Sequence, residues 1–329
     1  MFPTRPGKEP RMSSADATRR PGRLGVGVIG AGRVGSVLGA ALRSAGHAVI
    51  GVSAVSEASR ERAENLLPGV PVLEIPDIIE RAELVLLSVP DDALPGLVEG
   101  LAQLKAWQAG QLVVHTSGRY GIGVLGPARA AGAIPLAIHP VMTFTGLSLD
   151  LGRLPDSAFG ITAPSAVLPI AQALVVEMGA EPVVVEEESR VLYHAALAHA
   201  SNHLVTIAAQ SAQLLADLGV QDPDRMLGPL MKASLENALA AGEGALTGPV
   251  ARGDAGTVVA HRAALEGHDA PDVRQAYLGM ARATAVRALE RGILSPAQGE
   301  TILAALADTP GGGGAQGLRL GGPPDGSSS

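Results

Sequence analysis

The sequence predicts a parallel, doubly wound α/β sheet followed by an all-α C-terminal domain. Three observations carry this. Short aliphatic runs alternate with helical patterns through the first half. Each run is apolar on both faces, as a parallel strand covered by helices on two sides must be. From Ser189 onward the pattern turns helical and stays so. Strand and helix in alternation imply double winding.

The runs, in order, are RLGVGVIG (23–30), HAVIGVS (47–53), VPVL (70–73), ELVLLSV (83–89), QLVVHTSG (111–118) and IPLAIHP (134–140). AFGITAP and EPVVVEE are candidates for two more strands. One long helix is expected over 189–218, ending at Gly219; at ~1.5 Å per residue it spans roughly 45 Å. Further helices are expected at about 223–241, 255–267, 272–291 and 295–306. The long helix is apolar or small nearly all round. That implies a central helix wrapped by others, or one paired across a dimer.

Composition sets the outer limits. The 329 residues are comfortable for two domains. Apolar residues are 47% of the chain and aromatics only 2%, so the core must be aliphatic. A net charge of −7 argues against nucleic-acid binding, and no apolar run is long enough to cross a bilayer. Zero cysteines excludes disulfides and thiolate metal sites and fits a cytoplasmic protein. Residues 1–23 read as a disordered extension and 308–329 as a Gly/Pro/Ser tail. Between them lie a nucleotide-binding domain over 24–162 and a helical substrate and dimerisation domain over 163–307.

The glycines of VGVIGAGRVGSVLGAAL carry the first chemistry. Gly30, Gly32 and Gly35 form GxGxxG after a strand and at the opening of a helix. This is the Rossmann-type dinucleotide fingerprint. The first glycine permits the turn, the second lets backbone approach a pyrophosphate, and the third lets helix pack on strand. The backbone from Gly30 through Ala31, Gly32, Arg33 and Val34 to Gly35 is therefore the expected phosphate cradle.

Cofactor choice is read at the end of the second strand, in GVSAVSEASRERA. An NAD enzyme usually carries an acid there. Here Ser53, Ser56 and Arg60 take its place, with Arg33 in the glycine loop. Hydroxyls and guanidinium groups hold a 2′-phosphate that a carboxylate would repel. NADP(H) is the expected cofactor.

In such a sheet ligands sit beyond the carboxyl ends of the strands. Polar groups recur there: Ser88-Val89-Pro90-Asp91, His115-Thr116-Ser117-Gly118, and His139-Pro140. The long helix adds Tyr193, His194, His199, Ser201, Asn202 and His203. His194, Ser201 and Asn202 share one broad face. His199 and His203 share another at metal-pair spacing, but the glutamate of HExxH is missing and no metal is expected. Thr247 lies in a turn, and Asp254 is placed to cap the next helix. Arg252 either grips a carboxylate or forms a surface salt bridge.

HTSG, HPVMTF, YHAALAHASN and LTGPVARGD…TVVAHRAAL resemble a Rossmann-like family whose C-terminal half is a domain of unknown function. That family is similar to the 6-phosphogluconate dehydrogenase, F420-dependent NADP oxidoreductase and pyrroline-5-carboxylate reductase groups. The resemblance covers about residues 24–307 and implies an NADP-binding domain, a helical domain and a homodimer formed through it. Some members resemble an alternative ketopantoate reductase. Related hydroxyacid dehydrogenases use a lysine on the long helix; this helix has none.

The combined reading is an NADP(H)-dependent reductase of a small 2-oxo acid, with ketopantoate first among substrates. His194 is the expected proton donor, with His139 second. Asn202 and Ser117 orient the carbonyl, Ser201 and Thr247 line the substrate site, and Arg252 holds the carboxylate. An imine or prephenate-type dehydrogenase and a non-catalytic NADPH sensor are the alternatives.

Overall fold

The computed structural model describes residues 23–307. Except for Arg23, the expected extension and the expected tail lie outside the described residues. Seven strands, β1 (Gly25–Ile29), β2 (Ala48–Ser53), β3 (Leu84–Leu87), β4 (Leu112–His115), β5 (Ile134–Pro140), β6 (Ala158–Thr162) and β7 (Glu181–Val184), form one sheet in the order β2-β1-β3-β4-β5-β6-β7. The helices woven through it are α1 (Arg33–Ser44), α2 (Glu57–Leu66), α3 (Ile75–Arg81), α4 (Leu94–Gln103), α5 (Gly126–Ala130) and α6 (Leu168–Glu177). Then follow α7 (Arg190–Asp217), α8 (Pro223–Ala241), α9 (Gly248–Ala251), α10 (Ala255–Glu266), α11 (Pro271–Glu290) and α12 (Pro296–Ala305).

The sheet is double-sided because β1, β3 and the body of β4 are apolar or glycine at every position. Val26, Val28, Leu84, Leu86, Leu112 and Val114 face a core shared with α1 and α6. Ile29, Val85, Leu87 and Val113 face the opposite core, built with α3, α4 and α5. Each such side chain contributes about 1.5–3 kcal/mol by leaving water.

Three expectations change. VPVL is not a strand: only Val52 and Val72 form an isolated bridge. Pro71 has no N–H to give, and its carbonyl merely accepts from Val52 N at 3.0 Å. The sheet is not wholly parallel either, since β6 runs antiparallel to β5. A 3₁₀ segment, Ser148–Asp156, turns the chain back at the carboxyl end of β5. The sheet also continues past residue 162, because β7 pairs parallel with β6.

The third change concerns α7. It is a single 28-residue helix, yet Arg190 is its only buried residue. It is therefore not a core helix wrapped by others. The chain divides into two compact units, and the division falls inside α7, between His203 and Leu204. The second unit has its own core of Val250, Val258, Leu278, Ala281, Ala285, Ile302 and Leu306. Local rules shape its helices: Asp254 caps α10 by accepting from Thr257 N at 3.0 Å, and Ser295 with Gln298 forms a capping box on α12. No helix among the described residues is long and apolar enough to cross a membrane.

The packing of α1 on the sheet is tight enough to test. A Cβ on Gly35 would overlap the Gly30 carbonyl oxygen and meet Ser88 Cβ at 3.0 Å. Gly35→Ala should therefore push α1 off the sheet and cost about 1–3 kcal/mol. Thermal unfolding by circular dichroism measures this; an unchanged midpoint would show that the approach is not as close as described.

Candidate active site

The glycine loop begins where β1 ends. Gly30 has φ of +95°, in the left-handed region, and a Cβ there would overlap the Ser88 carbonyl. Ala31 N donates to Ser53 O at 2.8 Å and ties the loop to the end of β2. Gly32 caps α1 with no side-chain hydrogen bond, and nothing lies within 4 Å of where its Cβ would be. The first turn of α1 holds no acid. The helix N-terminus thus offers positive dipole and open space to a phosphate. The three glycines differ in their surroundings: tight at Gly30 and Gly35, open at Gly32.

The end of β2 is arginine-rich. Ser53 is nearly buried and holds the loop through its carbonyl. Ser56 is the cap of α2, its Oγ accepting from Ser59 N at 3.2 Å. Arg60 folds back so that Nε donates to Ala54 O at 3.3 Å. Sequence reasoning missed Arg62. Its Nε is buried without a hydrogen-bond partner. Its Cδ and the Cγ of Arg33 would lie 2.8 and 3.1 Å from a Cβ on Gly146. Gly146 sits in a loop held by the buried Asp150, which accepts from Thr145 N and Gly146 N, each at 2.8 Å. Among the described residues, Arg33, Arg60 and Arg62 form no ion pair with an acid. Cationic groups without a carboxylate partner are what binding an anion requires.

Along the strand ends, Ser88 N donates to Ile29 O at 2.8 Å, while Val89 and Pro90 follow toward α4. Thr116 Oγ1 donates to Ser88 Oγ at 3.3 Å. His115 is fully buried and both ring nitrogens are used. Nδ1 accepts from Ser117 N at 3.2 Å, so the proton is on Nε2, which donates to Gly121 O at 2.9 Å. Burial lowers its pKa to about 4. His115 is a neutral structural residue. Ser117 Oγ in turn accepts from Tyr120 N at 3.2 Å, so its hydroxyl also serves the turn.

The chemistry converges on Gly118. A Cβ there would lie 2.8 Å from His139 Nε2 and 2.7 Å from His194 Cδ2. His139, at the end of β5, and His194, in the second turn of α7, stack edge to face with centroids 5.9 Å apart. The other side of His139 meets Tyr193, whose hydroxyl oxygen lies 2.8 Å from Nδ1. Burial holds His139 down to about 4, with the charges of His194 and Arg190 acting the same way. Burial pushes the Tyr193 phenol up, against the pull of Arg190.

Arg190 anchors this group. It is 1% exposed. Its Nε donates to Thr162 Oγ1 at 2.8 Å, and Nη2 donates to the carbonyls of Ala137 and Gly160 at 3.1 Å. The glycine at 160 leaves room for the Tyr193 hydroxyl, which a Cβ would overlap.

The remaining residues named from sequence are on α7 and in the second unit. Ser201 Oγ donates to Leu197 O at 3.0 Å and lies 3.2 Å from Asn202 Oδ1, both exposed on α7 two turns beyond His194. His199 and His203 approach at 2.7 Å through Nδ1, but no group of three metal-ligating side chains exists among the described residues. Thr247 and Arg252 are in the second unit. Thr247 starts α9 and lines a cavity of about 390 Å³ with Ile207, Leu214, His261, Tyr277 and Met280. Arg252 is exposed at the end of α9.

Residues 8–140 match the family of Rossmann-like domains, and residues 157–284 match a domain of unknown function, DUF2520. No curated protein matches the chain in sequence. Among solved structures, TM1727 from Thermotoga maritima is 23% identical, with a TM-score of 0.62 over 81% of this chain and 99% of its own. BF3122 from Bacteroides fragilis, a proposed NADP oxidoreductase, is also 23% identical, with a TM-score of 0.65 over 80% of this chain and 98% of its own. An imine reductase from Pseudomonas sp. is 18% identical, with a TM-score of 0.54 over 86% and 92%. These likenesses establish a shared fold. The chain thus joins a Rossmann-like domain to a C-terminal DUF2520 domain.

Proposed function

We propose that this protein is an NADP(H)-dependent oxidoreductase that reduces a small carbonyl compound, a 2-oxo acid first, with ketopantoate the first to assay. The observation that carries the reading is the open glycine loop leading to two histidines over Gly118. The fold shared with BF3122 supports it. The loop backbone from Gly30 to Gly35 receives the pyrophosphate, and Arg33, Arg60 and Arg62 receive the 2′-phosphate, with Ser53 and Ser56 beside them. Ser88, Val89 and Pro90 edge the cleft. A bound reduced nicotinamide supplies hydride. The chain's part is to orient the carbonyl and supply a proton.

Histidine is the side chain suited to carrying that proton near neutrality. His194 is the donor and His139 its neighbour on the same point. Ser117, the residue before Gly118, orients the substrate. An imine in place of the carbonyl is the second reading, favoured by the fold shared with the Pseudomonas imine reductase. An NADPH-binding protein that oxidises it with no acceptor is the outcome that would defeat both.

The partner is a second copy of this chain, docked on the helical half. From Val191 to Ala216, α7 holds no Asp, Glu, Lys or Arg. Leu192, Val205, Leu230 and Leu239 on α7 and α8 are 76, 69, 63 and 80% exposed. No residue of α8 is buried. Two helices of 28 and 19 residues offer as many positions as a standard interface needs, roughly 20–30 a side.

Three outcomes test these readings. Arg60→Ala and Arg62→Ala should each weaken NADPH about tenfold, with NADH nearly unchanged, in fluorescence titration; equal losses for both nucleotides would remove the 2′-phosphate role. His194→Ala should cut turnover by about 10²-fold or more while NADPH still binds; full turnover would reject the donor. Light scattering should give twice the chain mass, and Val205→Arg with Leu230→Arg should halve it. A monomer at every concentration would exclude the second copy.

A further inference from the structure

The groups around His139 assign it a state and a job. Its Nδ1 faces a phenol that, being pushed up by burial, keeps its proton. The phenol oxygen takes a backbone hydrogen bond from Gly160, so its own O–H is the group left to reach the ring nitrogen, and Nδ1 is the acceptor. The proton of the neutral ring is then on Nε2, the atom that looks onto Gly118. Neutrality is enforced from several sides. Burial comes first, then the charge of His194 and of Arg190, with Asp91 pulling the other way and His115 adding little. Arg190 lies against Tyr193 as well, its guanidinium carbon 5.7 Å from the ring centroid.

We propose that Tyr193 is a positioning residue that fixes His139 as the Nε2–H tautomer, so that a neutral imidazole donates a hydrogen bond to the substrate's reacting oxygen or nitrogen at Gly118. This rests on the reductase reading of the cleft and divides the labour of its two histidines. His139 polarises the double bond through a fixed donor that keeps its own proton. The proton consumed in the reaction is left to His194. Two imidazolium rings side by side would repel, so the geometry disfavours a charge on both at once.

The test needs no substrate. In the full chain labelled with ¹⁵N-histidine, two-bond proton–nitrogen spectra report the tautomer of each ring, and His139→Gln assigns the signal. The wild type should show His139 with Nε2 protonated and Nδ1 bare, unchanged from pH 8 to pH 5. Protonated Nδ1 in the wild type, or an imidazolium at pH 6, overturns the proposal. Tyr193→Phe keeps the ring and removes the donor. It should give mixed tautomers, and an unchanged Nε2–H signal overturns the role of Tyr193. Should that variant not fold, the wild-type spectrum alone decides. NADPH oxidation by no carbonyl or imine would sink the reductase reading and leave the tautomer result standing.

Discussion

The buried guanidinium of Arg190 is the contact on which the site depends. It bonds a hydroxyl on β6 and one carbonyl from each of β5 and β6. It thereby pins the first turn of α7 to the antiparallel pair that departs from the parallel sheet. Taking a cation out of water is expensive, and three hydrogen bonds are what offset it. Thr162, its partner, donates onward to Val185 O at 2.5 Å, so the carboxyl-terminal side of the sheet is drawn into the same network. Residues three and four places on from an anchored helical residue share its face. Tyr193 and His194 occupy those places, and both reach His139.

Electrostatics follows from that anchor. Arg190 has no carboxylate at hydrogen-bonding distance; Glu187 nearby spends its oxygens on Ile122 N and Gly123 N, at 2.7 and 2.9 Å. A buried positive charge is therefore left to act on the histidines and the phenol beside it. It helps keep His139 neutral and makes the phenol more acidic than burial alone would leave it. At the other end of the cleft the arginines near Gly146 are similarly uncompensated. A chain of net charge −7 thus concentrates positive charge at two places where ligands would bring negative charge.

Much of the first unit was legible because the rules involved are local. GxGxxG after a strand gave the loop: Gly30 and Gly35 make close backbone approaches, and the place of a Cβ on Gly32 is open. Double-sided apolar runs gave five of the seven strands and the candidates AFGITAP and EPVVVEE the other two, though VPVL mimicked a strand without making one. His139 was legible from its place at a strand end. The rest needed contacts far apart in sequence. Tyr193 reaches across 54 residues to His139. Arg62 acquires meaning only beside Gly146, which enters from a loop after β5. Arg190, a single polar residue at the start of a helix, gives no local signal, because its partners lie 28 to 53 residues away. Ser56 was expected only at a 2′-phosphate, and the structure also shows it capping α2.

The long helix shows why pattern alone misplaces burial. An uncharged helix must be covered by something, and periodicity does not say whether the cover is the same chain. Within this chain α7 hides only Arg190, so its apolar surface is a debt that folding of one copy leaves standing. The helical half then has too little core of its own: a few aliphatic side chains around Val258 and Ile302. On the reading that a second copy supplies the cover, the stability of that half depends on protomer concentration. The first turns of α7, which carry Tyr193 and His194, are held by Arg190 whether or not a partner is present. Assembly and catalytic geometry would then be separable, with the buried guanidinium securing one and the charge-free face the other.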